Sequence, residues 1–303
     1  MTTTPLKTAQ DILSNAKRIV VKIGTETITK NGQIDTDFLN ALAEDVAALK
    51  AQGKEVFIVT SGAIALGRTP LNINPQTPTS ELPMDVKQKA SGVGQIILIN
   101  SFLQAFLQHG LLAQQILLAK DDIDNPERLK NLRQASYICE YNGSQVHNIV
   151  PIYNEDDALV TKEISFGDND GLGAHLAVAL EADAYAMLSD IDGLHEKNPK
   201  LCADGEENPL IPHVVDLGAA FSHANDNTNG LSKGGMKSKG NASRITTDAG
   251  ISTIITLGKN NPHVLAKLAS GQQNCTVVHP LSSIKSEQAQ GIHIEEHSIH
   301  ALG

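Results

Sequence analysis

The residues of this chain best suited to chemistry sit where apolar runs stop. Lys22 lies inside the run IVVKI (19–23), and Gly24-Thr25 follows at once. A buried ammonium is costly unless it meets an anion. A lysine that snorkels to the rim of its strand is the ordinary alternative, but a glycine turn so close behind favours a phosphate-facing role. Ser61-Gly62 ends the run EVFIVT (55–60) and opens a helical AIALG. The free N–H groups of a first helical turn attract anions, although a serine there also serves as a plain cap. Asn154-Glu155-Asp156-Asp157 follows IVPIY (149–153), and Ser189-Asp190-Ile191-Asp192-Gly193 ends AYAMLS (184–189). Gly167-Asp168-Asn169-Asp170 opens a further apolar stretch. Finally, LSKGGMKSKG (231–240) sets Lys233, Lys237 and Lys239 among glycines. Glycines let backbone N–H groups approach phosphate oxygens, and lysines add point charges; a flexible basic loop has the same composition. Neither G-x-x-x-x-G-K-[ST] nor a complete G-x-G-x-x-G occurs in the chain, so the two common phosphate-loop signatures are absent.

The elements that must position these residues alternate. The runs 19–23, 55–60, 149–153, 184–189, 251–257 and 275–279 read as strands. They are continuously apolar, as strands covered on both faces should be. Between them, 35–52 carries Phe38, Leu42, Val46 and Leu49 on one stripe, with Asp35 as N-cap and Gly53 as stop. Segments 86–109 and 126–141 are helical in pattern, and Leu172, Leu176, Ala179 and Leu180 form one face of another helix. Such alternation implies a largely parallel α/β sheet. Ligands of open α/β sheets bind beyond the carboxyl ends of the strands, so the polar strand ends are expected to share one crevice. Segment 69–83 reads as a mobile loop, and 204–233 is polar and rich in Gly and Asn.

Composition narrows the function. The chain has 303 residues, 41% hydrophobic and 19% charged, which allows a sizeable core. The net charge of −10 and 3% aromatic content leave no basic stripe and few rings for nucleic acid. No run is read as long enough to cross a membrane, and the first residues lack a secretory pattern, so a cytoplasmic location is expected. Cys139, Cys202 and Cys275 are scattered, with no CxxC pair. HIEEH (293–297) has the spacing of an inverted zinc-protease motif, but it follows Gly291 in a short tail, and no metal site is expected there.

Read in order, VVKIGTETI, VTSGAIALGR, KQKASGVGQ, PIYNEDDALVTKEISFGDND, SDIDGL and KGGMKSK resemble the amino acid kinase family, and within it the glutamate 5-kinases. The resemblance runs from about Arg18 to His279. It implies a three-layer α-β-α sandwich over 18–280 with a first lobe for the acceptor and a second for the nucleotide. Residues 1–17 then form an N-terminal extension and 281–303 a short tail. It implies ATP-dependent phosphorylation, with Mg²⁺, of the γ-carboxylate of L-glutamate, the first step of proline synthesis. By motif position, Lys22 and Lys239 match the lysines that contact the transferred phosphate, and Asp170 the aspartate that holds both. Ser61, Gly62, Asn154, Asp157 and Asn169 match glutamate-binding positions. Lys22, Gly24, Thr25, Ser189, Asp190, Lys233, Gly234, Gly235, Met236, Lys237, Ser238 and Lys239 match nucleotide-binding ones. A dimer or tetramer and feedback inhibition by proline are implied too, with no nucleic-acid or membrane partner.

The chain departs from the family pattern at Asp156 (usually Asn), Gly173 (Ser in D-N-D-x-L-S-A), Lys233 (Thr) and Ser189 (Thr). A C-terminal PUA domain, frequent in bacterial relatives, is not expected in the short stretch after Pro280. Two other readings stay open. One is a sibling kinase of the same fold acting on N-acetylglutamate, aspartate, carbamate or UMP. The other is a non-catalytic module that senses nucleotide or proline.

Overall fold

A computed structural model describes residues 6–142, 144–146, 148–159, 165–197, 202, 207–221 and 235–281. Lys233, Gly234 and the HIEEH segment lie outside them, as do 204–206 and 222–232. Eight strands form one sheet: β1 (Arg18–Ile23), β2 (Glu55–Val59), β3 (Leu112–Leu118), β4 (Ile149–Glu155), β5 (Ala184–Ser189), β6 (His213–Val214), β7 (Ser252–Leu257) and β8 (Cys275–Val278). Their order is β6-β8-β7-β5-β1-β2-β4-β3. From β7 to β3 every pairing is parallel; β8 runs antiparallel to β7. All six strands expected from apolar runs are present. β3 is an addition: it lies at the sheet edge and is half exposed, so its LAQQILL pattern lacks the signature of a strand covered on both faces.

The helices that bear on the site are α1 (Ala9–Asn15), α2 (Thr36–Ala51), α3 (Ala63–Arg68), α4 (Met84–Leu107), α5 (Pro126–Ser136), α6 (Asn169–Ala179), α7 (Met236–Asp248) and α8 (Val264–Ala269). They cover the sheet from two sides. Ile19, Val21 and Ile23 of β1 pack with α1, α2, α3, α4 and α8. Val20 packs on the other face with α5, α6 and α7. Successive strand side chains alternate between faces, so Lys22 shares the face of Val20 and points toward α6. The result is the expected three-layer sandwich.

Local signals set the ends of these helices. Asp35 accepts from the Phe38 N–H at 3.0 Å, and Gly53 at φ +78° terminates the turn after α2, a left-handed geometry that glycine adopts without penalty. α5 starts under an Asn125 cap but stops at Ser136, short of the expected Tyr141. The N-terminal segment is built into the sandwich. Thr8 and Asp11 form a reciprocal capping box on α1. Lys54 Nζ donates to the carbonyls of Leu13, Ser14 and Ala16 at 2.8, 2.9 and 2.8 Å. Asp45, buried on α2, accepts from the Leu265 and Ala266 N–H groups and so caps α8 from across the core.

α4 corrects one expectation. Its 24 residues are long and apolar enough, by length and composition, to cross a membrane. In the sandwich Leu98, Phe102, Ala105 and Phe106 are core residues. α4 crosses α3 with almost no side chain between them. A Cβ at Gly94 would overlap the Ala63 carbonyl oxygen, and one at Gly67 the Ala90 carbonyl oxygen. Backbone cannot yield there as a flexible side chain can. Gly94→Ala is therefore expected to cost about 3 kcal/mol or more, read as a lower urea midpoint. An unchanged midpoint would show that the crossing is looser than described.

Candidate active site

β1 is the place where the chain changes direction in the sheet: β2 lies on one side of it and β5 on the other. A crevice opens beyond the carboxyl ends of strands at such a switch. Lys22, one residue from the end of β1, is buried there, and so are Asp170 and Lys239. Lys22 Nζ lies 2.6 Å from Asp170 Oδ1, and Lys239 Nζ lies 3.2 Å from Asp170 Oδ2. Ser238 Oγ donates to the same Oδ2 at 3.2 Å. Burial pushes the Asp170 carboxyl pKa up, but the Lys22 and Lys239 charges outweigh it and hold the group below its ordinary value. The aspartate is therefore ionised, as the two ammonium groups require.

The members come from three elements. Lys22 comes from β1, Asp170 from the first turn of α6, and Ser238 and Lys239 from the first turn of α7. Asp168 caps α6 by accepting from the Gly171 N–H at 2.7 Å. Glu155, at the end of β4, accepts from Ser165 Oγ and the Phe166 N–H at 2.8 and 2.7 Å. That carboxylate pins the segment leading into α6, which explains one acid of the Asn154–Asp157 turn structurally.

The amides form a second cluster beside the first. Asn169 Nδ2 donates to the Thr60 carbonyl, Ser61 Oγ and Asn154 Oδ1 at 2.7, 2.8 and 3.0 Å. Asn154 Nδ2 donates to Gln95 Oε1 at 2.9 Å. Ser91 Oγ lies 3.4 Å from Asp157 Oδ2. Ser61 is followed by Gly62 at φ +102°, the residue that turns β2 into α3. So Ser61, Gly62, Asn154, Asp157 and Asn169 gather at the ends of β2 and β4. Gln95 and Ser91 join them from α4. Both lie in the KQKASGVGQ stretch, where several polar side chains compete and composition alone singles out neither.

On the other side of β1, Gly24 N–H donates to the Leu188 carbonyl at 3.3 Å, and Thr25 begins a one-turn helix. Ser189 Oγ donates to Asp190 Oδ1 at 2.9 Å, while the Ser189 carbonyl takes the N–H groups of Gly258 and Lys259. Gly258 is an addition to the sequence reading: a Cβ there would lie 2.8 Å from both Leu188 Cβ and Thr27 Cγ2. Gly235 precedes α7. Lys237 is exposed and Met236 packs on the core. Neither reaches Asp170 through a described contact.

Comparison with known proteins shows which family the chain resembles in sequence and in fold. The sequence model of the amino acid kinase family matches residues 17–256. A glutamate 5-kinase from Ruegeria sp. (strain TM1040) is 39% identical over 81% of this chain and 64% of its own length. One from Caulobacter vibrioides is 36% identical over 88% and 68%, and one from Thermus thermophilus 36% over 91% and 70%. The chain thus spans about two thirds of the length of the curated relatives it matches. Among solved structures, a carbamate kinase from Giardia lamblia superposes with TM-score 0.54 at 14% identity, covering 88% of this chain and 99% of that one. A UMP kinase from Ureaplasma parvum gives 0.55 at 15%, covering 87% and 98%. These two share the fold.

Removing the carboxylate while keeping both lysines leaves buried charge without its partner. Asp170→Asn is expected to lower the unfolding free energy near neutral pH by about 3–5 kcal/mol. Because the folded-state pKa is depressed, the stability that Asp170 contributes is present above its ordinary value of 3.8 and lost as pH falls through the lower folded value. Urea unfolding of both proteins should show a constant gap near neutrality that begins to narrow only as pH falls below 3.8. A gap that closes at neutral pH would contradict the ion pairing.

Proposed function

The chain belongs to the amino acid kinase family, on its glutamate 5-kinase branch, and from that premise we propose that it transfers the γ-phosphoryl group of ATP to the γ-carboxylate of L-glutamate. The observation that carries this reading is the buried Lys22–Asp170–Lys239 cluster at the ends of the strands. The acceptor is a carboxylate, already ionised at neutral pH, so no general base is needed. The barrier lies in bringing two anions together and stabilising charge as the phosphoryl group moves. Lys22 and Lys239 supply cations in a water-poor place, where such charge acts strongly. Asp170 fixes their ammonium groups in direction. The buried Ser238 hydroxyl and the first turn of α7 suit phosphate oxygens. Mg²⁺ carried on the nucleotide would neutralise part of the phosphate charge.

The acceptor would sit between β2, β4 and the start of α6. Asp157, only partly buried, offers its carboxylate to the substrate's α-ammonium. Asn169 has its Nδ2 engaged by three protein acceptors, which leaves its Oδ1 to face the ligand. Asn154 is tied through Gln95 and Asn169 and acts by orienting its neighbours. The N–H groups after Gly62 would take the α-carboxylate. The nucleotide would lie across β5, near Gly24, Thr25, Ser189, Asp190 and the segment Lys233, Gly234, Gly235 to Lys239. This pairing of an acid with amides suits a free amino group and disfavours an acylated one.

The test is trapping of γ-glutamyl phosphate as the hydroxamate, with ATP, Mg²⁺ and L-glutamate, in the presence and absence of proline. Product is expected with glutamate and far less with N-acetylglutamate; a reversed preference would overturn the acceptor assignment. Lys22→Ala and Lys239→Ala should each lower kcat by roughly two to three orders of magnitude in folded protein. Asp157→Asn should instead raise the KM for glutamate roughly tenfold or more, with a smaller change in KM for ATP. Equal effects on both substrates would place Asp157 elsewhere.

A further inference from the structure

Asp170 is gripped twice, by its carboxylate and by its backbone. Tyr185 lies on β5 opposite Val20 of β1, so its ring stands on the same sheet face as Lys22, beneath α6. Its side chain is entirely buried. Its hydroxyl donates to the backbone carbonyl of Asp170 at 2.9 Å. Lys22 thus holds the Asp170 carboxylate, and Tyr185 holds the Asp170 backbone. Both come from neighbouring strands of one rigid sheet.

The ring reaches that carbonyl through a gap that only glycine leaves. A Cβ at Gly173 would lie 2.5 Å from Tyr185 Oη, 2.9 Å from Cε2 and 3.0 Å from Cζ. Gly173 sits inside α6, where glycine is less favourable than alanine. Among the described groups, the feature that requires it is the tyrosine ring. This accounts for the departure at position 173 from D-N-D-x-L-S-A. Glycine at 173 and tyrosine at 185 are one coupled device.

We propose that Tyr185, accommodated by Gly173, is a positioning residue for phosphoryl transfer: it sets the height and rotation of the first turn of α6 and so aims Asp170 at the two lysines. Tyr185 itself touches no reacting atom. A buried hydroxyl has strong reason to keep its partner, so the contact resists rotation of that turn. Misplacement of charged groups by fractions of an ångström is costly when they must act on one phosphoryl group. The proposal rests on the phosphotransferase reading, and its test has an arm that does not.

Tyr185→Phe keeps the ring and removes only the donor. With the full chain, kcat is expected to fall roughly tenfold, with both KM values within about twofold because no ligand contact is lost. Hydrogen exchange of the amides at 170–174 should quicken in the same variant while the strands stay protected. Gly173→Ser should lower kcat further than Tyr185→Phe does, by forcing the ring aside, and Gly173→Ser combined with Tyr185→Leu, which vacates the space but supplies no donor, should return only to the level of Tyr185→Phe. A structural role alone would lower stability without this kcat loss and rescue. Unchanged kcat and exchange in Tyr185→Phe, or a folded double variant no better than Gly173→Ser, would overturn the proposal. If the wild-type chain phosphorylates no acceptor, the functional reading fails, and unchanged exchange in Tyr185→Phe would still overturn the coupling.

Discussion

A carboxylate buried between two ammonium groups is the constraint on which the rest of this molecule depends. Neither Lys22 nor Lys239 could be taken from water cheaply without an anion, and Asp170 could not stay ionised at that depth without them. The cluster is therefore conditional on its own assembly. It forms only when β1, the first turn of α6 and the first turn of α7 have met. Folding and the construction of the site are one event, and their energetics are shared.

The sandwich supplies that meeting with few adjustable parts. Alternation along β1 sends Val20 and Lys22 to the same face, toward α6. The parallel sheet puts the ends of β2, β4 and β5 beside the end of β1. Glu155 ties the segment before α6 to β4, and Asn169 ties the helix start to β2. The acids and amides that crowd the strand ends divide accordingly. Some hold backbone, some hold lysines, and Asp157 remains at the rim.

Much of this was legible in the sequence, for identifiable reasons. Continuous apolar runs marked the buried strands, and Asp35 and Gly53 marked the bounds of α2. β3 was not legible, because an edge strand carrying Gln114 and Gln115 has one covered side and no clean period. The length of α5 was overread, since nothing in its pattern announced the stop at Ser136. The cluster itself was reachable only through the order of the motifs. Spacing cannot show that Lys22 and Lys239, far apart in the chain, meet one carboxylate. Gln95 and Gly258 were missed because their importance lies in what approaches them in space.

The account requires Lys22 and Lys239, held by a shared aspartate, to reach a shared phosphoryl group. A crystal structure of the chain with a non-hydrolysable ATP analogue, Mg²⁺ and L-glutamate measures this directly. Both Nζ atoms should lie within hydrogen-bond distance of the terminal phosphate or its bridging oxygen, with Asp170 still between them and the γ-carboxylate in line. A terminal phosphate bound away from both lysines, with the Asp170 cluster undisturbed, would contradict it.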